Sequence, residues 1–179
     1  MSDPTPIRTI DVVEYDPLWQ DEFRSYYLVL RAVLGELIMS IEHIGSTSVI
    51  GLAAKPIVDM VIVISSRIQL KPVIDKLSER DYIHEGNLGI PGREAFMWPK
   101  GKRHHLYVCS VDTPNLHNYL IFRDYLRAHP DAVEAYSSLK RRLAKEYRND
   151  MDGYGAAKTE FIQSTIARAI ETYGFDRFQ

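Results

Sequence analysis

The sequence predicts an α+β domain: a mixed β-sheet with flanking helices and a helical C-terminal layer. Three observations carry that prediction. Residues 57–64 (Ile-Val-Asp-Met-Val-Ile-Val-Ile) are apolar on both faces except at Asp59, the pattern of a central strand covered on both sides. Residues 94–98 and 103–110 flank Pro99-Lys100-Gly101-Lys102, a four-residue connection suited to a hairpin. From Asn115 onward apolar residues recur at three- and four-residue steps, the helical period. A chain of 179 residues can bury one substantial core. It reads as a single domain, with an α/β core over about 1–112 and C-terminal helices over 113–179.

Residues 1–6 read as a tail and Ile7–Val13 as a short strand. Tyr15-Asp16-Pro17 is a turn, with Pro17 suited to a first helical turn and Asp16 to its cap. Trp19, Phe23, Tyr26, Leu30, Val33 and Leu37 then mark one face of a helix over Leu18–Leu37. Ser40–Ile44 is a strand ended by Gly45-Ser46, and a helix over Lys71–Glu79 follows the central strand. Asp81–Glu85 is a third strand, and the glycines and proline of 86–93 make a loop. Leu116–Ala128 is a helix stopped at His129-Pro130. Asp131 caps a second helix running to Tyr147, Gly153-Tyr154-Gly155 breaks the pattern, and Ala156–Tyr173 is a third.

A net charge of −2 gives no global attraction to nucleic acid or an anionic membrane, so neither partner is expected and any anion site must be local. One cysteine, Cys109, excludes an intrachain disulfide and a four-cysteine zinc site, and points to a reducing, cytoplasmic setting. In its strand it reads as an inert core thiol. The N-terminus lacks a signal-peptide pattern, and the longest apolar run is too short to span a bilayer.

The chemistry concentrates in residues 42–64. Asp59 shares a strand face with Ile57, Val61 and Val63, where a carboxylate is costly unless paired or near an opening. Ahead of it, Gly45, Ser46, Thr47 and Ser48 form a small polar turn that can cradle a phosphate or carboxylate. Lys55 lies four residues before Asp59 and can reach the same place. The bland alternative is an ordinary turn capped by Ser46, with Asp59 paired to Lys55 or an arginine.

The blocks Glu42-His43-Ile44-Gly45-Ser46-Thr47-Ser48-Val49, Gly51-Leu52-Ala53 and Lys55-Pro56-Ile57-Val58-Asp59 resemble the signature of the GrpB family. Tyr15-Asp16-Pro17-Leu18-Trp19 with Phe23, Arg103-His104-His105-Leu106, Phe122–Arg127, Tyr136, Leu139-Lys140 and Tyr154 with Lys158 and Phe161 extend the resemblance over nearly the whole chain. It implies a nucleotidyltransferase-like fold, whose turn would bind nucleotide phosphates. It also implies a possible tie to dephospho-CoA kinase, to which this domain is fused in some bacteria. Active members of that superfamily hold two divalent metals on three carboxylates. Here Asp59 takes the first position and is the metal-ligand candidate for Mg2+; the second is Val61, and the third strand carries His105 and Tyr107. The family generally lacks the second acid too, and often has a histidine where this chain has Tyr107. The resemblance therefore implies a nucleotide or other phosphorylated ligand, with nucleotidyl or phosphoryl transfer on an incomplete carboxylate set. The alternative is a non-catalytic or accessory domain serving an enzyme partner in trans.

His105 can approach Asp59 if their strands are neighbours, as an acid–base pair or shared ion site, or it is a hydrogen-bonded strand residue. Glu42 is either the missing acid or an edge residue. Arg93, Lys100, Lys102, Arg103 and His104 make the hairpin basic, a phosphate clamp or a charged edge. Arg123 and Arg127, and Tyr154 and Lys158, are one turn apart and either reach a cleft or lie on a solvated face. Lys140-Arg141-Arg142 reads as a solvated stripe. Phe161, Tyr173, Phe175 and Phe178 are core residues or a partner surface.

Overall fold

The structure, a computed structural model, describes residues 9–100 and 104–174. Helix α1 (Leu18–Leu34) starts where Asp16 Oδ1 accepts the Leu18 N–H at 2.9 Å. It ends at Gly35, whose φ of +50° leaves the helical region, and a single 3₁₀ turn completes the expected span to Leu37. Strands β1 (Ser40–Ile44), β2 (Val58–Ile64), β3 (Ile83–Gly86), β4 (Arg93–Met97) and β5 (His104–Ser110) form one sheet in the order β1-β2-β5-β4-β3. Only the β2–β5 pairing is parallel; the others are antiparallel. The run apolar on both faces therefore sits inside the sheet, as its pattern requires.

Helix α2 (Leu70–Ser78) joins α1 on one face. Leu30, Leu34, Val73 and Leu77 pack there on Val58, Met60, Ile62, Ile64, Leu106 and Val108. Helix α3 (Pro114–Ala128) covers the other, where Leu116, Tyr119 and Leu120 meet Ile44, Val61, Val63 and Cys109. Beyond it, α4 (Pro130–Glu146) and α6 (Thr159–Tyr173) close over Val49 and Leu52 through Tyr136, Phe161 and Ile162, beside Leu126 of α3, while α5 (Met151–Ala157) packs Tyr154 with Ile10 and Leu143.

Four expectations are corrected. The described part of Ile7–Val13 contributes one bridge, Val13 to Ala54, rather than a strand. Pro130 occupies the first turn of α4, which makes His129 the cap; Asp131 instead complements the helix dipole from inside the turn. Among the described residues the C-terminal layer has four helices rather than three, because Gly153-Tyr154-Gly155 runs through α5. Asp150 Oδ1 caps α5 by accepting the Gly153 N–H at 2.9 Å, and a Cβ at Gly153 would collide with Asp150 and Tyr147, so that glycine permits close approach and does not break a helix. Finally, Lys140 is 2% exposed and belongs to no solvated stripe. No helix among the described residues is long and apolar enough to cross a membrane.

Candidate functional site

The register sets the site. Ile44 and His105 flank Asp59 on either side, and Glu42 and Tyr107 flank Val61, so all six share the face beneath α3. His105 Nδ1 lies 2.6 Å from Asp59 Oδ1, with the two side chains 30% and 27% exposed. The carboxylate at the start of β2 thus meets an imidazole at the solvent-accessible edge of the core.

The turn before it touches the same carboxylate. Gly45 has φ +67° and ψ −171°, and a Cβ there would collide with Asp59. Residues Ser46–Ser48 form a 3₁₀ turn. Thr47 and Ser48 are buried, and their hydroxyls are engaged within the protein. Ser48 Oγ donates to Gly45 O at 2.6 Å, and Thr47 Oγ1 is 3.0 Å from His43 Nε2. Burial pushes the His43 imidazole down to about 4, so it is neutral where it stacks on Phe23. Ser46 differs. Its Oγ receives Lys140 Nζ at 2.9 Å, across from α4.

Lys140 and Lys158 approach from the C-terminal layer. Lys140 Nζ sits 4.5 Å from the Tyr136 ring centroid, and Lys158 Nζ 4.2 Å from that of Tyr154. Lys55 reaches the same Tyr154 ring at 5.7 Å. Burial lowers the Lys140 amine to about 6, with Lys158 and Arg141 adding to the drop and Asp59 opposing it. Burial and then Lys55 lower Lys158 to about 8, again against Asp59. Two lysines therefore share the field of one carboxylate, and Lys55 acts on the second of them. The resemblance includes Lys140, but its place in the site escaped the sequence reading because Lys140-Arg141-Arg142 looks uniformly charged. The signal that could have found it is spacing: Tyr136 and Lys140 are one turn apart, and Leu139 and Leu143 flank them on the buried side.

Other expected residues serve the scaffold. Arg123, 11% exposed in its side chain, donates to Glu42 Oε2 at 2.9 Å, Asp124 Oδ1 at 2.7 Å and His43 O at 3.2 Å. Glu42 is thus held by an arginine across from Val61. Arg127 donates to Ser48 O at 2.9 and 3.1 Å, tying α3 to the turn. Arg123→Ala should cost about 3 kcal/mol, because it strands a half-buried carboxylate and a backbone carbonyl; a urea midpoint that does not move would refute that role. In the basic hairpin, Arg93 lies 4.5 Å over the Tyr107 ring, and Lys100 pairs with Asp81 at 2.7 Å. His104 turns to the opposite face against Tyr82. Lys102, Arg103, Phe175 and Phe178 lie outside the described residues. Phe161 stacks on Tyr136 inside the helical layer, and Tyr173 packs on Tyr125 and His129.

A two-metal centre does not fit. No three His, Cys, Asp or Glu side chains converge as metal ligands among the described residues. Position 61 offers an isopropyl group, and Asp59 Oδ1 is occupied by His105.

Comparison with known proteins identifies the family and the fold. The family model described as GrpB protein matches residues 9–168. UPF0157 protein YqkA of Bacillus subtilis is 35% identical over 165 residues, 92% of this chain; the chain spans about half of that relative's length, 48%. The crystal structure of conserved protein GrpB from Enterococcus faecalis superposes with a TM-score of 0.82 at 32% identity, covering 91% of this chain and 99% of that one. A structure of Cid1 in complex with its short product ApU gives 0.54 at 14% identity, over 81% of this chain and 48% of that one, a likeness of fold alone. The sheet, its flanking helices and the helical layer are thus nucleotidyltransferase-like, and the chain belongs to the GrpB family.

Proposed function

We propose that the chain binds a nucleotide or a related phosphorylated ligand at the cluster of Ser46, Lys140 and Lys158, beside Asp59. The observation that carries this reading is the delivery of Lys140 Nζ from α4 to the Ser46 hydroxyl inside the protein. Buried amines are expensive, and a fold that brings one to a hydroxyl with a second amine near it has a site suited to an anion. Lys55 adds a third positive group on the Tyr154 ring.

The Asp59–His105 contact supports a transfer step as a second reading. With Nδ1–H donated to the carboxylate, Nε2 is the nitrogen that would take a proton from an acceptor hydroxyl. No step is assigned to Mg2+, since the carboxylate set does not fit it. Calorimetric titration with ATP, GTP, CTP and dephospho-CoA, with and without Mg2+, is the test. At least one should bind with a Kd below about 100 µM without the metal. A folded sample giving no heat with any of them would sink the binding reading. Release of pyrophosphate or a transferred group would favour the transferase, and binding without turnover the non-catalytic alternative.

A further inference from the structure

We propose that the bound ligand seats a terminal, doubly charged phosphate against Ser46 and Lys140, and that seating it draws one proton from solvent onto the Lys140 amine. This rests on the phosphorylated-ligand reading above and adds to it the class of phosphate and its coupling to protons.

The argument starts from what faces Lys140. The turn after β1 presents Ser46 Oγ at 2.9 Å, and α4 itself presents the Tyr136 ring. Lys158, at the end of α5, and Arg141, on α4, bring positive charge; Arg141 is held by Glu14 at 2.8 Å. From β2 comes Asp59, a single carboxylate in contact with His105. A side chain 2% exposed in that company is poorly hydrated, and its surroundings are already rich in cations. Its amine therefore gives up its proton near neutral pH, while Lys158, less shielded, keeps more of its own. A monoester phosphate carries two charges above its second ionisation near pH 6. Lys158 and Lys55 can answer the first. The second lies against the neutral amine and favours its ammonium form, so the proton arrives with the ligand. A phosphodiester brings one charge and exerts less of that pull.

ATP and cyclic AMP, both without divalent cations, are the probes. Each is titrated calorimetrically at pH 7, where Lys158 already holds its proton and Lys140 does not, in imidazole and in PIPES, whose ionisation enthalpies differ. For ATP the heats should differ by the equivalent of about one proton taken up per ligand, and affinity should fall by up to about tenfold per pH unit between about 7 and 9. Cyclic AMP should bind at least about tenfold more weakly and take up none. Lys140→Met should remove the buffer dependence of whatever ATP binding remains. Equal ATP heats in both buffers overturn the proton linkage and leave the binding reading intact, and so does uptake that persists in the variant. Cyclic AMP bound as tightly as ATP overturns the terminal-phosphate class. No heat from ATP at all overturns both the inference and ATP as the ligand.

Discussion

Lys140→Met should make the protein more stable while weakening ATP binding at least about tenfold. At pH 6.5 its melting temperature should rise by about 5 °C or more. Methionine is close to lysine in length and volume, so the packing around Tyr136 survives the exchange. What is removed is an amine whose protonated form the fold disfavours. The folded-state value, about 6, lies below the ordinary 10.5, so between them the unfolded chain holds more protons than the native one. Stability from this group therefore rises with pH across that window, and its full penalty is present at and below about pH 6. The advantage of the methionine variant should be largest there and shrink by about 1.4 kcal/mol per pH unit toward pH 10. Set against it is the loss of the bond to Ser46, about 1 kcal/mol. Thermal unfolding of both proteins from pH 5.5 to 9.5 gives the curve. A variant less stable than the parent throughout would show Lys140 to be a structural group, not one held at a cost for function.

This trade also explains which parts of the site could be read from sequence. The β2 run announced itself because a strand apolar on both faces has one place to go, the middle of a sheet. Asp59 stood out there because a carboxylate breaks that pattern. The alternation of β5 placed His105 on a definite face, and the parallel register then fixed its contact with Asp59. The burial of Lys140 was illegible for a different reason. Its neighbours in the sequence are basic and exposed, and only the docking of α4 on the turn 94 residues earlier buries it. Arg123 and Arg127 were legible in part: helical spacing places them on one face but does not say that the face meets Glu42, His43 and Ser48. Helix α5 was missed because Gly153 reads as a breaker until Asp150 and Tyr147 are seen against its Cα. Local pattern determines elements, and long-range docking determines which of their charges become buried.

Gly45→Ala should be a severe single-methyl change, costing about 3–5 kcal/mol and lowering the melting temperature by about 10 °C. Two separate penalties add. The backbone at Gly45, φ +67° and ψ −171°, lies in a region that only glycine occupies comfortably, worth about 1–3 kcal/mol. The new Cβ would also occupy space held by the Asp59 carboxylate, which must swing away and give up its contact with His105. Because the turn continues into Ser46, the displacement carries to the hydroxyl that Lys140 holds, and ATP binding should fall with stability. The two penalties can be separated by a double-mutant cycle in urea. Asp59→Ala removes the carboxylate and should return part of the loss in the Gly45→Ala background, leaving the backbone share and the contact with the Cβ at 59. Strict additivity of the two substitutions would mean that the bend at Gly45 and the acid on β2 do not press on each other, and the shared site built on that contact would have to be abandoned.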